Sequence, residues 1–255
     1  MPWDPTQYLK FAGPRLRPAI DLLQRIDVEA PELVYDLGAG AGNVTRLIAA
    51  RWPDARIVGV DSSAEMLAKA AAESPQIEWQ QADLGTWRPR QPPTIIYSNA
   101  ALHWLDDHDK LFPAIFASLA PGGVLAVQIP RNFNAVSHTS ITAAALDGPW
   151  RATLEPLLRP APVAEPEFYY DLLAPHAAAL DMWETEYLQV LEGENPVKEW
   201  TKGTWLGPLL DALDQPQRSD FEQAYAERVA AAYPRRADGK TLFPFRRLFM
   251  IATAA

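Results

Sequence analysis

The chain has no cysteine. That removes disulfides, thiolate metal sites and a cysteine nucleophile together, and it permits a reducing compartment. Long apolar runs are missing too: the longest, near residues 124–129, falls far short of the ~20 residues a membrane-spanning helix needs. Met1-Pro2-Trp3-Asp4-Pro5 has no cationic stretch leading into an apolar one, so it does not read as a signal peptide. Basic charge is in deficit, with 23 Lys+Arg against 32 Asp+Glu and a net charge of −9. The deficit is spread, 11 against 15 in residues 1–130 and 12 against 17 beyond. No half offers the clustered cations on which binding to a phosphate backbone rests. Histidines number four, and Asp106-Asp107-His108-Asp109, with no second ligand set, reads as the acidic start of a helix rather than as a metal site. These absences predict a cytoplasmic protein without metal, nucleic-acid or membrane partners, its oligomeric state open.

What is present is ordinary globular material, 255 residues of which 48% are apolar. Short β-branched runs at 33–37, 56–61, 77–81, 94–98 and 124–129 alternate with helical stretches at 43–51, 64–72 and 107–119. This is the pattern of a parallel sheet covered by helices on both faces. After Pro130 the rhythm changes. Pro149, Pro156, Pro160, Pro162, Pro166 and Pro175 punctuate a region expected to be loop and short helix. Strand patterning returns at 182–191 and 247–253, and the helical, aromatic-bearing stretches 196–213 and 217–233 between them predict a cap. The expected organisation is an amino-terminal covering segment (1–30), an α/β core (31–130), a loop-and-helix insertion (131–180), and two last strands (181–255) with the cap inserted at about 192–240.

The sharpest motif is Val34-Tyr35-Asp36-Leu37-Gly38-Ala39-Gly40-Ala41-Gly42-Asn43, an apolar strand ending in a glycine turn that opens a helix. Such a turn lets bare backbone approach a ligand. The dinucleotide fingerprint G-x-G-x-x-G requires glycine where Asn43 stands. Asp36 repels a pyrophosphate and attracts amine or hydroxyl donors, which favours a cofactor that is cationic at that end. Asp61, at the end of the second strand, is placed to accept from two ribose hydroxyls, as an acid does there in related folds. Taken alone, it would also serve as a helix cap with Ser62 and Ser63. Asp83, followed by Leu84 after the third strand, is placed to accept from an adenine amino group.

Together these residues resemble the class I S-adenosylmethionine-dependent methyltransferases, with D-x-G-x-G-x-G, the acidic end of strand two and the Asp after strand three all in place. The resemblance implies a Rossmann-like doubly wound sheet of seven strands, the last antiparallel, plus the helical cap. It also implies S-adenosylmethionine held by Asp36, Gly38, Gly40, Asn43, Asp61, Ser62, Asp83, Leu84 and Asn99. Two further segments, Trp3-Asp4-Pro5-Thr6-Gln7-Tyr8-Leu9-Lys10-Phe11 and Asn99-Ala100-Ala101-Leu102-His103-Trp104-Leu105, are similar to the trans-aconitate 2-methyltransferase family. So are the strand 122–130 and Phe245-Arg246-Arg247-Leu248-Phe249. That likeness implies esterification of a carboxylate of a small tricarboxylic acid.

A carboxylate is ionised at neutral pH, so the chemistry asks for no general base and no catalytic residue beyond those that position the reactants. Local cations must hold the anionic acceptor. Arg131, beyond the fifth strand, and Arg247, on the apolar side of the last one, are the preferred candidates, with Tyr8, His103 and Trp104 beside them. Trp3 and Phe11 would help exclude water. Arg15 and Arg17 read as charges of a surface helix, and Trp200, Trp205, Tyr169 and Tyr170 read as packing residues. Methyl transfer to another small acid or to a hydroxyl-bearing metabolite stays open, as does a non-catalytic cofactor-binding module.

Overall fold

The computed structural model describes residues 12–255, the side chains of Ala12, Pro14 and Arg15 apart. Helix α1 (Ala12–Gln24) precedes β1 (Leu33–Leu37), α2 (Asn43–Arg51), β2 (Arg56–Asp61), α3 (Ala64–Glu73), β3 (Glu78–Gln81), β4 (Ile95–Asn99), α4 (His108–Phe116) and β5 (Val124–Pro130). The chain continues through α5 (Val136–Leu146), α6 (Arg151–Leu154), α7 (Pro166–Leu173), β6 (Ala177–Leu191), α8 (Pro196–Lys202), α9 (Gly207–Asp211), α10 (Gln217–Ala232) and β7 (Thr241–Ala254). The strands make a seven-stranded sheet in the order β3-β2-β1-β4-β5-β7-β6. Strands β1 to β5 pair in parallel, and β7 runs antiparallel to β5, from Val124 opposite Thr253 to Pro130 opposite Arg247. The order reverses between β1 and β4, and in open α/β sheets the crevice at the carboxyl ends beside such a reversal is where ligands sit.

Central strands must bury both faces, which is why β1 and β5 are apolar along nearly their whole length and buried at every residue. The edge strand β3 (Glu-Trp-Gln-Gln) has no buried residue. Two strands are longer than the patterning predicts: β6 begins at Ala177 rather than 182, and β7 at Thr241 rather than 247. Ala177-Ala178-Ala179 carries no strand signal of its own, and Pro244 argues against a strand because it lacks an amide donor. Pro244 is tolerated because it lies outside the stretch of β7 paired with β5, which spans 247–253.

The chain forms two compact units. The first comprises residues 16–130, 162–185 and 247–255 and contains the parallel strands. Its Tyr97 is fully buried and donates to the Ala19 carbonyl of α1 at 2.8 Å. The second comprises residues 131–161 and 186–246 with the described residues 12–15. In it Phe221, Tyr225 and Val229, spaced four apart on α10, present one buried face to a core with Ile141, Leu154, Trp200, Leu206 and Phe243. Each such side chain contributes roughly 1.5–3 kcal/mol on full burial. Trp200 and Trp205 belong to this core as expected. Tyr169 is buried and bonded to the His108 ring at 2.7 Å, whereas Tyr170 is 56% exposed and does not pack. Residues 169 and 170 are consecutive on α7, and a helix turns 100° per residue, so only one of them faces inward.

Candidate functional site

The site of the first unit is assembled from the ends of β1, β2, β3 and β4. Past β1 the chain turns sharply: the amides of Gly38 and Ala39 donate to the Val60 carbonyl of β2 at 2.8 and 3.0 Å. Gly38 has φ +82°, and a Cβ there would overlap the Cβ of Ala101 in the loop after β4. That loop is itself constrained, with Ala100 at φ +53° and its amide bonded to the Gln128 carbonyl at 2.9 Å. The two loops therefore fix one another across the point where the strand order reverses.

Asp61 braces the same turn. Its Oδ2 accepts from the Gly40 amide at 2.8 Å and its Oδ1 from the Ser63 amide at 2.9 Å. The cap of α3 is Ser63, whose hydroxyl accepts from Met66, so Asp61 is no cap and is held with lone pairs to spare. Asp36 is 2% exposed and accepts from the Thr45 hydroxyl of α2 at 2.6 Å. Burial raises its pKa from 3.8 to about 7, with the charge of Asp61 adding and the Thr45 bond opposing. Asp83 accepts from the Gly85 amide at 2.9 Å, and Leu84 beside it is buried. The Asn43 amide oxygen accepts from Arg46 at 2.7 Å, and Arg46 also donates to the Ala41 carbonyl at 3.1 Å, so Asn43 stiffens the turn from behind. Ser62 offers its carbonyl to Gln81 at 3.1 Å. Asn99, ending β4, has a buried Oδ1 with no hydrogen-bond partner among the described residues.

The ends of these four strands thus carry three acidic side chains, of which Asp61 bonds the glycine turn directly, and an unsatisfied amide oxygen. This acceptor-rich set fits a ligand that carries donors and positive charge, as S-adenosylmethionine does, and opposes a pyrophosphate.

His103 and Trp104 follow on a single 3₁₀ turn, with ring centres 4.7 Å apart, His103 buried and Trp104 45% exposed. On β7 the two consecutive arginines differ in burial, as period-two alternation expects. Arg247 is 4% exposed and donates from Nη1 to Gln128 Oε1 at 3.1 Å, whereas Arg246 is exposed and lies 3.9 Å from Glu186. Arg131 belongs to the second unit, where its amide donates to the Arg246 carbonyl at 2.9 Å. Arg17 is exposed and lies 4.0 Å from Asp21, one helical turn away. Trp3, Tyr8, Phe11 and the side chain of Arg15 lie outside the described residues. Sequence reasoning missed Thr45 and Gln128. The only signal for Gln128 is a polar residue interrupting the apolar run of β5.

The sheet order, the reversed last strand and the acceptor-lined glycine turn define a class I S-adenosylmethionine-dependent methyltransferase fold. The sequence pattern of the methyltransferase domain family matches residues 34–123. A phosphoethanolamine N-methyltransferase 2 from Haemonchus contortus, solved with phosphomonomethylethanolamine and S-adenosylhomocysteine, shares the fold at a TM-score of 0.56 and 16% identity, over 93% of this chain and 52% of that one. Much nearer in sequence are proteins named trans-aconitate 2-methyltransferase. The one from Azoarcus sp. (strain BH72) is 49% identical over 98% of each chain. The one from Methylobacterium radiotolerans is 45% identical over 99% of this chain and 98% of that relative. The chain belongs to the trans-aconitate 2-methyltransferase family.

Proposed function

We propose that the protein transfers the methyl group of S-adenosylmethionine to a carboxylate oxygen of trans-aconitate or a closely similar small polycarboxylate. The observation that carries this reading is the 49% identity to a protein of that name over 98% of both chains. The buried arginine on β7 supports it chemically. No helix among the described residues is long and apolar enough to cross a membrane. Together with the absence of cysteine, this is the basis for proposing a cytoplasmic site of action.

When bound, S-adenosylmethionine supplies an electrophilic methyl group on a sulfonium. In the proposed site Asp36 faces the cationic end of the donor, the Gly38–Gly40 backbone lies against it, Asp61 with Ser62 accepts from the ribose hydroxyls, and Asp83 with Leu84 holds the adenine. Asn43 stiffens the turn, and Asn99 accepts from the ammonium group. Arg247 meets the acid with a planar fork that stays charged at any working pH. A net charge of −9 repels a polyanion only weakly, since salt screens beyond ~8 Å. With the acceptor already ionised, these residues have only to align oxygen, carbon and sulfur, an entropic contribution of about 7–11 kcal/mol. His103 and Trp104 are proposed to border the acceptor and keep water from its carboxylate.

Labelled S-adenosylmethionine offered with a panel of di- and tricarboxylates should yield an alkali-labile methyl ester, most rapidly with trans-aconitate. Binding of the donor with no acid labelled would instead support a non-catalytic module. Asp61→Ala should weaken donor binding by about 1.5–3 kcal/mol, the scale of hydrogen bonds to a charged group. Titration calorimetry showing unchanged affinity would remove Asp61 from the site.

A further inference from the structure

Gln128 lies on β5 in the middle of the sheet and is fully buried. Its neighbours across the ladders are Asn99 on β4 and Phe249 on β7. Residues directly opposite share a face of the sheet, and so do residues two apart on one strand. Asn99, Gln128, Phe249 and Arg247 therefore lie on one face, at the carboxyl ends of β4 and β5. Arg247 Nη1 donates to Gln128 Oε1 at 3.1 Å. A guanidinium has donors only, so this bond fixes which end of the amide faces the arginine and turns Nε2 away from it. That Nε2 is buried and has no hydrogen-bond partner among the described residues.

An unmet buried donor is a standing penalty that an apolar residue of the same shape would not carry. The orphan next to it has the opposite polarity: Asn99 Oδ1 is a buried acceptor. The two therefore suit different halves of a methyl-transfer reaction. The acceptor suits the cationic, donor-bearing cofactor, and the donor suits an anion that can only accept.

Building on the function proposed above, we propose that Gln128 contacts the substrate and determines its specificity. Its amide nitrogen donates to one carboxylate of the acid, while its amide oxygen holds the Arg247 guanidinium against the same acid. A neutral amide is required for both tasks. Glutamate at this position would pair with Arg247 and turn an acceptor-only group toward an anion.

Gln128→Glu is therefore expected to raise KM for trans-aconitate about a hundredfold and leave KM for S-adenosylmethionine within about twofold. Gln128→Met, of similar shape, should raise the same KM about ten- to hundredfold, as loss of a hydrogen bond to a charged group implies. The decisive arm offers the monoamides of the acid. If Gln128 faces a carboxylate, one monoamide should be methylated by Gln128→Glu with a lower KM than the parent acid, reversing the wild-type order. Should Gln128→Glu not fold, Gln128→Met still distinguishes the outcomes. KM values for acid and donor rising together, or an acid KM unchanged in either variant, would overturn the proposal and leave Gln128 and Asn99 as a structural pair. If wild-type protein methylates no polycarboxylate, the proposed function fails first, a result visible before any variant is made.

Discussion

Alanine at position 38 is expected to cost far more than alanine at position 40, although both glycines belong to the same turn and both have positive φ. Gly38 has φ +82° and Gly40 φ +55°, so each substitution incurs a left-handed-backbone penalty of about 1–2 kcal/mol. The difference lies in what the new methyl meets. At Gly40 it finds the Met66 methyl at 3.6 Å, an ordinary contact with the end of a flexible side chain. At Gly38 it overlaps Ala101 Cβ, held in a loop whose preceding residue is already at φ +53°. Overpacking of that kind adds about 1–3 kcal/mol, for a total of about 2–5 kcal/mol at Gly38. Because the overlap pushes the β4 loop away from the β1 turn, it also disturbs the residues proposed to hold the donor. Gly38→Ala should therefore lose measurable binding of S-adenosylmethionine in calorimetry, while Gly40→Ala retains it with reduced affinity. Equal losses in the two variants would show that the contact between the loops does not organise the site.

The features legible in the sequence are those whose signal is local. Strands β1, β2 and β5 stand out because burial on both faces demands apolar runs, and the turn after β1 because only glycine tolerates its backbone. That Arg247 is buried and Arg246 exposed follows from strand alternation. Other features depend on distant partners and leave no local trace. The first residues of β6 are alanines that become strand through their place at the sheet edge. Pro244 sits in β7 outside the stretch paired with β5. Asp61 stands out as an acid at a strand end, yet its bond to the Gly40 amide depends on a turn 21 residues earlier in the chain. Gln128 is the sharpest case. Within Val-Leu-Ala-Val-Gln-Ile-Pro it reads as an imperfection of a buried strand, and it gains meaning only when β7 brings Arg247 beside it.

Affinity for S-adenosylmethionine is expected to fall steeply as pH drops below 7, while the rate at saturation stays flat. In the free protein burial raises the Asp36 pKa from 3.8 to about 7, and the groups facing it, Asp61 and the buried Tyr97 phenol, offer no positive charge. A raised carboxylate pKa means that the folded state holds a proton the unfolded chain has released. The free protein accordingly loses stability as pH rises from about 4 to about 7, and the loss is complete above that. A cation placed against Asp36 reverses the preference, because it binds the ionised form. Below pH 7 binding must then expel one proton, which lowers affinity about tenfold per pH unit, roughly hundredfold between pH 7 and pH 5. The pKa of the free protein appears in kcat/KM for the donor, whereas kcat reports the loaded protein. There Asp36 is already ionised and the acceptor carboxylate needs no base. Plots of log kcat/KM for S-adenosylmethionine should bend near pH 7 with unit slope on the acid side, and kcat should vary little between pH 6 and 9. Asp36→Asn should abolish the bend and bind the donor weakly at every pH. A wild-type profile of kcat/KM that is flat through pH 7 would mean that no cation is seated against Asp36, and that its burial serves only the bond to Thr45.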